Sequence, residues 1–315
     1  MNTPPILFLV FNRPENTKKV FSAIRDAKPE KLFLAADGPR KDVPEDKEKC
    51  RITRNIATDV DWDCELKTLI RDKNLGCGLA VSSAITWFFE NVEEGIILED
   101  DCLPSQSFFS FCEIMLEKFR NDERIMMVTG FNQFGEWNSD KYDYFFSRGG
   151  IWGWATWKRA WRHFSMEIPD INSEDCKYAL KSVYPDSKIF KMRYKQIYNA
   201  SKKQNVWGYL WIYARVMNNG LSVTSSRNLI KNIGFGDGAT HTTGTPSSMP
   251  RLYKHTFPLR HNNFIVMDEF YENILEKQLY KINKRSNISL WVEKIFGLKI
   301  KNIIKNIINK TDKYT

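Results

Sequence analysis

"GIILEDDCLP" (95–104) is a short apolar run that ends in three consecutive carboxylates, Glu99, Asp100 and Asp101. Adjacent carboxylates repel one another, by about 3 kcal/mol at ~5 Å and an effective dielectric constant near 20. Because side chains alternate along a strand, Glu99 and Asp101 are expected on one face and Asp100 on the other. A divalent cation would relieve the repulsion, and oxygen ligands suit Mg²⁺ or Mn²⁺. The alternative is an acidic, solvated loop after the strand.

Apolar runs and helical patterns alternate on both sides of this stretch. Runs typical of strands lie at 4–11, 31–40, 64–72 and 124–130. Helical patterns lie at 12–27, where Pro14 suits a first helical turn, and at 78–92 and 105–120. Such alternation predicts an α/β fold with a mostly parallel sheet that helices cover on both faces.

Polar side chains stand where four of the predicted strands end. They are Asn12 and Arg13, then Asp37, then Arg71 and Asp72, and finally Glu99, Asp100 and Asp101. In sheets of this kind, ligands bind beyond the carboxyl ends of the strands. Polar groups at four strand ends therefore favour a binding site at that edge over an idle acidic loop.

The sequence changes character after residue 130. The stretch "FFSRGGIWGWATWKRAWRHF" (145–164) contains four tryptophans and three glycines, 206–223 has a helical pattern with an Asn-Asn-Gly stop, and 228–248 is rich in Gly and Thr. Glycines allow the backbone to approach a sugar, and indole faces stack on its C–H side. We interpret 131–245 as a lid and acceptor half of the same domain, although each tryptophan could equally belong to a helix-packing core.

Charge and cysteine content exclude several classes of protein. Of the net charge of +9, residues 284–315 carry eight basic and two acidic side chains, so the remainder is nearly balanced. With no zinc-finger, RNP or helix-turn-helix signature, no nucleic-acid partner is expected. Six cysteines without a C-x-x-C pair, no secretory signal and no apolar run of ~18 residues predict reduced thiols in a cytoplasmic protein.

The carboxyl-terminal segment 284–315 is predicted to be a basic amphipathic tail. Within 289–310, isoleucines fall on one helical face, at Ile300, Ile303, Ile304, Ile307 and Ile308, and lysines lie elsewhere. Such a helix suits an anionic membrane surface, which would attach the protein peripherally to the inner face of the cell membrane. The alternative is a helix docked on the main domain. Residues 246–283 are predicted to connect the two.

The order of motifs resembles GT-A glycosyltransferases. "FNRP", "ADGPR", "RDKNLG" and "EDD" each follow a strand, and an aromatic-glycine loop comes after them. The chain is most similar to N-acetylglucosaminyltransferase I and to bacterial nucleotide-diphospho-sugar transferases of surface-polysaccharide synthesis, over about residues 4–245. The resemblance implies a GT-A, Rossmann-like domain over 1–245, with a nucleotide-sugar half at 1–130. It also implies inverting transfer of a hexose or N-acetylhexosamine from a UDP-sugar to a glycan or lipid-linked glycan.

The resemblance assigns roles at the strand ends. Asp101 would hold a Mn²⁺ (or Mg²⁺) bridging the diphosphate, Asp100 would reach the ribose or donor sugar, and Glu99 would act through water. Asp37 would read the uracil and Arg13 would lie near the base and phosphates, with the strand-end residues Asn12 and Arg71 beside them. The "SRGGIWGW" loop would close on the donor sugar through Arg148, Gly149, Gly150 and Trp152. UDP-N-acetylglucosamine is the donor favoured by resemblance alone.

The general base is the least defined residue. In the family a carboxylate follows the first tryptophan of a late motif, but the matching stretch "VWGYLW" has Gly208 at that position. Either Asp237, in a Gly-rich loop beside His241, supplies the base, or the chain is a non-catalytic sugar-nucleotide-binding protein, or an acid has been lost. We take Asp237 as the catalytic candidate. A nucleotidyltransferase ranks lower, because its Gly-rich loop after the first strand is missing.

Overall fold

A computed structural model describes residues 3–234 and 249–296, the last twelve of these as helical backbone only. The candidate base Asp237, its neighbour His241 and the tail beyond residue 296 lie outside the described residues.

Eight strands form the central sheet, and two short strands form a second sheet. The central strands are β1 (Ile6–Val10), β2 (Lys31–Ala36), β3 (Glu65–Ile70), β4 (Glu94–Glu99), β6 (Ile125–Thr129), β7 (Tyr144–Ser147), β8 (Trp154–Trp157) and β9 (Leu221–Ser225). The small sheet pairs β5 (Cys102–Pro104) with β10 (Ile230–Asn232) in antiparallel fashion. β5 follows β4 almost at once, so the acidic stretch joins the two sheets.

Nine helices surround these sheets in the described part of the chain. They are α1 (Pro14–Ala27), α2 (Glu45–Thr58), α3 (Gly76–Asn91), α4 (Gln106–Phe119), α5 (Lys158–Trp161), α6 (Glu174–Val183), α7 (Ser187–Lys203), α8 (Gly208–Val216) and α9 (Glu269–Phe296).

The central sheet is mostly parallel, as the sequence predicted. Its order is β3-β2-β1-β4-β8-β6-β9-β7, and only β8 and β7 run against the other strands. The α/β fold with helices on both faces is therefore confirmed. β8 comes from the tryptophan-rich stretch and inserts between β4 and β6, so the second half of the chain continues the same sheet.

Side-chain alternation on β1 divides the interior into two layers. Ile6, Phe8 and Val10 join the core beneath α1 and α4, whereas Leu7 and Leu9 join the core beneath α3 and α8. The second layer contains four of the five buried tryptophans of the described chain, Trp154, Trp161, Trp207 and Trp211, whose rings contact one another. These four belong to the core, and Trp157 is buried in the other layer.

Three features of the chain differ from the sequence-based expectations. β3 lies at the edge of the sheet and is largely exposed, because it has a neighbour on one side only. The helix predicted over 206–223 ends at Val216, and the residues after its Asn-Asn-Gly stop form β9. Helix α2, which carries many charged residues, was not predicted at all.

Residues 249–284, most of which were predicted as a connection, contact the main body of the fold. His255 and Leu259 are buried, Met267 pairs with Phe146 of β7, and Tyr271 of α9 is 2% exposed. All six cysteines are free. None of the helices in the described part of the chain combines the length and the apolar character that crossing a lipid bilayer requires.

Candidate functional site

A cavity of about 310 Å³ lies at the carboxyl ends of the parallel strands. Its walls come from the ends of β1, β2 and β4, the start of α3, the loop before β8 and the start of α8. This is the edge where ligands of parallel α/β sheets bind, and the volume is within the range of small-molecule sites. Of the predicted site residues, the cavity brings together Arg13, Asp37, Arg71, Glu99, Asp100, Asp101 and Trp152.

The three consecutive carboxylates all face this cavity. β4 ends at Glu99, so the strict alternation expected from a strand stops there and Asp100 and Asp101 turn toward the same side. Arg13 Nη1 donates to Asp101 Oδ2 at 2.9 Å and to Asp100 Oδ1 at 3.3 Å. The backbone N–H of Phe11 also donates to Asp100 Oδ2, at 3.3 Å. Residues from the ends of β1 and β4 are thus joined by charge-assisted hydrogen bonds.

One arginine does not neutralise three carboxylates. Burial raises the pKa of Asp100 to about 7, although Arg13 opposes this shift. Burial and the charges of Asp101 and Asp100 raise the pKa of Glu99 far above its usual range. The cluster therefore favours a bound proton or a cation, since either would reduce the excess negative charge.

The backbone after β10 passes directly over Asp101. Ile233 N–H donates to the Asp101 carbonyl at 2.7 Å, and a Cβ at Gly234 would overlap the Asp101 carboxylate. Asn16 Nδ2 of α1 holds the carbonyl of Ile233 at 3.3 Å. A residue without a side chain is needed at 234, because the chain approaches the carboxylate at van der Waals distance. The described chain before the gap at 235–248 therefore ends beside Asp101.

The Asp37 carboxylate is engaged within the protein. It accepts hydrogen bonds from the backbone N–H groups of Gly38, Leu75 and Gly76, and from Asn74 Nδ2, at 2.9–3.2 Å. A carboxylate can accept about four hydrogen bonds, so these four donor groups occupy all of its acceptor positions. Asp37 therefore ties the end of β2 to the loop that opens α3.

Arg40, which lines the cavity, and Asp46 of α2, which holds Arg40, were both missed by sequence reasoning. The fully buried Asp46 carboxylate accepts from Arg40 Nε at 2.6 Å, Arg40 Nη2 at 3.0 Å and Asn12 Nδ2 at 2.7 Å. These hydrogen bonds, first those of Arg40, lower the pKa of Asp46 to about 2. Arg40 lies over the Phe11 ring, 5.6 Å from its centroid, and lines the cavity. The turn "ADGPR" contained Arg40, but no local pattern showed that it would face the site.

Arginine and aromatic side chains complete the walls. Arg71 lines the cavity and donates to Ser83 of α3 at 2.8 Å. Trp152 packs edge-on against Phe131, with centroids 4.7 Å apart, and Trp207 also lines the cavity. Gly208, the first residue of α8, also faces the cavity, where an added Cβ would lie 2.6 Å from Ile151 Cδ1.

Three predicted residues of the aromatic-glycine loop lie away from the cavity. Arg148 donates through its backbone N–H and Nη1 to the buried carboxylate of Glu272 at 2.7 and 2.9 Å. Its guanidinium also lies over the ring of Tyr184 at 5.0 Å. Gly149 packs against Ser222 and Gly150 against Phe131. In the described chain this segment joins β7 to α9, and only Trp152 of the predicted loop residues lines the cavity.

The residues at the strand ends are chemically compatible with a divalent metal ion. Four carboxylates line the cavity (Asp37, Glu99, Asp100 and Asp101), and Asp37 is saturated by N–H donors. No group of three or more His, Cys, Asp or Glu side chains in 3–234 and 249–284 is arranged to hold a metal. Mg²⁺ commonly uses one or two carboxylates together with substrate phosphates, which a single Asp101 ligand would fit.

The fold and the cavity define an α/β protein with a ligand cleft at the carboxyl edge of a mostly parallel sheet. No protein-family model matches the sequence, and no curated protein matches it either.

Several solved structures are weakly similar to this chain. UDP-glucose pyrophosphorylase in complex with UDP-glucose is 10% identical with a TM-score of 0.35, over 75% of this chain and 96% of that chain. Mouse xyloside xylosyltransferase 1 is 10% identical with a TM-score of 0.33, over 67% and 80%. HddC from Yersinia pseudotuberculosis is 9% identical with a TM-score of 0.30, over 49% and 77%. Similarities at this level are too weak to assign an activity.

Proposed function

We propose that this chain is a metal-dependent glycosyltransferase that moves a sugar from a UDP-sugar to a glycan or lipid-linked glycan with inversion. The observation that carries the proposal is the cluster of Glu99, Asp100 and Asp101 at the end of β4, which faces a cavity together with arginines and indoles. Anionic phosphates, a sugar ring and a divalent cation each have matching groups there.

The arginines and the tryptophan have distinct roles in this proposal. Arg13, Arg40 and Arg71 line the cavity and supply planar N–H donors for a diphosphate or a base. Trp152 offers an indole face to the donor sugar. Asp46 positions Arg40 and Asn12, and Asp37 holds the loop over 74–76, so we assign both acids to positioning at the nucleotide end of the site.

Asp101 would hold the metal ion, and Asp100 and Glu99 would surround it. A bound Mn²⁺ or Mg²⁺ supplies charge neutralisation for the departing diphosphate without any proton transfer. Arg13 contacts Asp101 in the described structure, and its guanidinium would also donate to a phosphate bound beside that acid. The carboxylates face the sugar carbon on which positive charge builds during transfer.

The proposed base remains Asp237, which lies outside the described residues. Inverting transfer needs a general base, normally a carboxylate, within hydrogen-bond reach of the acceptor hydroxyl. Among the described lining residues the acids are Asp37 and the cluster at 99–101, and Gly208 stands where the resembling family has an acid. Gly208 supports the second candidate function, a sugar-nucleotide-binding protein of the same fold without catalysis.

Calorimetric titration with UDP, in Mn²⁺ and in EDTA, tests the binding site. Wild-type protein is expected to bind UDP at least tenfold more tightly in Mn²⁺, and Asp101→Asn is expected to abolish that difference. Asp175→Asn, an exposed acid in α6, is the matched control and should bind like the wild type. Equal affinity of the wild type in Mn²⁺ and EDTA would contradict the metal role.

Release of UDP from UDP-sugars, with and without a glycan acceptor, distinguishes an enzyme from a binding protein. A transferase is expected to release UDP slowly alone and faster with acceptor, and Asp237→Asn should lower the rate at least a hundredfold. Gly208→Asp should raise turnover strongly only if the base has been lost. No UDP release from the wild type, together with tight UDP binding, would favour the binding protein.

A further inference from the structure

Three large apolar side chains are exposed around the start of α9. Phe264 is 71% exposed, Val266 is 69% exposed and Phe270 is 70% exposed. Residues 264–267 alternate between exposed and partly buried positions, as in a strand. Met267 is on the partly buried side and pairs with Phe146 of β7, whereas Phe264 and Val266 are on the exposed side. A soluble fold gains nothing from exposing several such side chains in succession, so they favour contact with another surface.

Along the outward face of α9, exposed apolar side chains are followed by exposed lysines. Tyr271, Glu272 and Glu276 are buried, so the opposite side of the helix is turned away from the domain. At ~100° per residue, five exposed residues fall within about 80° of arc on that opposite side. They are Phe270, Ile274, Lys277, Lys281 and Lys284.

No acidic residue interrupts the basic part of this face. The sequence 277–284 is "KQLYKINK", and the buried Glu272 and Glu276 are paired with Arg148 and Arg193 inside the fold. Lys277 lies within electrostatic range of Asp186, whereas Lys281 and Lys284 extend further along the helix. Beyond them, residues 285–315 add further basic side chains.

We propose that this face, formed by Phe264, Val266, Phe270, Ile274, Lys281 and Lys284, binds the surface of an anionic membrane. Apolar side chains enter the boundary between headgroups and acyl chains, and lysines near the surface are attracted to the charge of anionic lipids. A second copy of the chain fits the face less well, because a two-fold interface presents the same face again, and 277–284 contains no acidic side chain to pair with the lysines. The residues of this face all precede the isoleucine-rich segment of the predicted tail, which begins at Ile300.

Co-sedimentation of the full-length protein with vesicles tests the proposal. The vesicles contain phosphatidylcholine with about 30% phosphatidylserine, or phosphatidylcholine alone, at low and high salt. Wild-type protein is expected to pellet with the anionic vesicles and to be released by salt. The triple variant Phe264→Ser/Val266→Ser/Phe270→Ser and the double variant Lys281→Glu/Lys284→Glu should each bind at least tenfold more weakly.

Matched variants control for exposure and charge. Tyr178→Ser removes an equally exposed ring from α6, and Lys202→Glu/Lys203→Glu reverses two exposed lysines of α7, so both should bind like the wild type. Undiminished binding of the triple variant, as a tail-only interaction would give, overturns the proposal. So does a wild-type dimer that the triple variant converts to monomer in light scattering. Vesicle binding is measured without nucleotide, so failure here leaves the glycosyltransferase proposal untouched.

Discussion

Asp101 illustrates how a single side chain depends on a distant backbone. The residue was singled out by its place in a row of acids, but its surroundings come from the segment after β10, where Gly234 passes over the carboxylate and Ile233 bonds to the Asp101 carbonyl. The same residues lead directly into the stretch that contains Asp237. The glycine is therefore as much a requirement of the site as the acid.

Gly234→Ala is expected to displace the Asp101 carboxylate, because the new Cβ would lie within 2.8 Å of Asp101 Cβ and closer to the carboxylate oxygen. We expect UDP affinity in Mn²⁺ to fall about tenfold, or ~1.4 kcal/mol, by calorimetry. Gly150→Ala serves as the control, since its Cβ would meet only the edge of the Phe131 ring, at 3.1 Å. Equal affinities of the two variants would show that the approach of Gly234 to Asp101 does not matter.

At the scale of secondary structure, α9 is fastened to the domain by buried ion pairs. Arg193 of α7 donates three hydrogen bonds to Glu276 at 2.8–3.1 Å, and both side chains are less than 10% exposed. Arg148 makes a similar pair with Glu272 one turn earlier. Two such pairs fix which face of α9 is buried, and therefore which face carries the exposed lysines.

Glu276→Gln should leave the Arg193 guanidinium buried without a counter-charge. Removing one partner of a buried pair costs about 3–5 kcal/mol, so the urea midpoint followed by circular dichroism should fall markedly. The double variant Arg193→Met/Glu276→Leu should recover most of that loss, because it leaves no buried charge.

The control for this prediction is an exposed ion pair. Glu174→Gln removes the partner of Lys177 on the surface of α6, and we expect almost no change in the urea midpoint, because water and salt screen an exposed pair. A loss of the same small size in Glu276→Gln would mean that α9 is not held by its ion pairs.

For the molecule as a whole, His255 joins parts of the chain that are far apart in sequence. Its Nε2 lies 2.8 Å from Ser225 Oγ of β9, its backbone N–H donates to Ser107 of α4, and its ring stacks on Phe111. Burial lowers the pKa of His255 to about 4, with Asp143 opposing the shift and Arg227 and Arg260 adding to it. The imidazole is therefore neutral in the folded protein at pH 7.

This lowered pKa predicts a loss of stability in acid. Between about pH 6.5 and pH 4 the unfolded chain binds a proton that the folded protein does not, so the His255 contribution is complete above pH 6.5 and falls as the pH falls. The full effect is about 3 kcal/mol. Glu99 and Asp100 have raised pKa values and act in the opposite direction, so the measurement is a difference between variants.

Urea unfolding of the wild type and of His255→Gln from pH 7 to pH 4 provides that difference. At pH 7 the wild type should have a higher free energy of unfolding than His255→Gln. This difference should shrink steadily toward pH 4, where the imidazole of the folded protein begins to take up its proton. A difference that stays constant over this range would mean that His255 is not titrating differently in the folded and unfolded protein.

The features of the site that the sequence predicted are those that depend on local sequence patterns. Apolar runs identified β1, β2, β4 and β6, and polar residues at strand ends located the edge that holds the cavity. Both signals are carried by neighbouring residues, since burial on two faces requires a continuous apolar strand and strand ends of a parallel sheet meet at one edge. The placement of Asp101 and Arg13 at the cavity followed from the same reasoning, whereas Trp152 was predicted from the resemblance of its glycine-aromatic loop.

The rest of the site depends on partners that are distant in the chain. Arg148 meets Glu272 across 124 residues, and Asp37 meets Leu75 across 38 residues. β8 inserts between β4 and β6, and Asp46 reaches Asn12 and Arg40 from a charge-rich helix that the sequence analysis did not predict. The sequence by itself determined the α/β class and the edge of the sheet that carries the cleft, because apolar periodicity is local. Only the tertiary structure decided which charged groups face the cleft and which stabilise the fold. The role of a charged side chain depends on whether a residue distant in the sequence comes close enough to neutralise it.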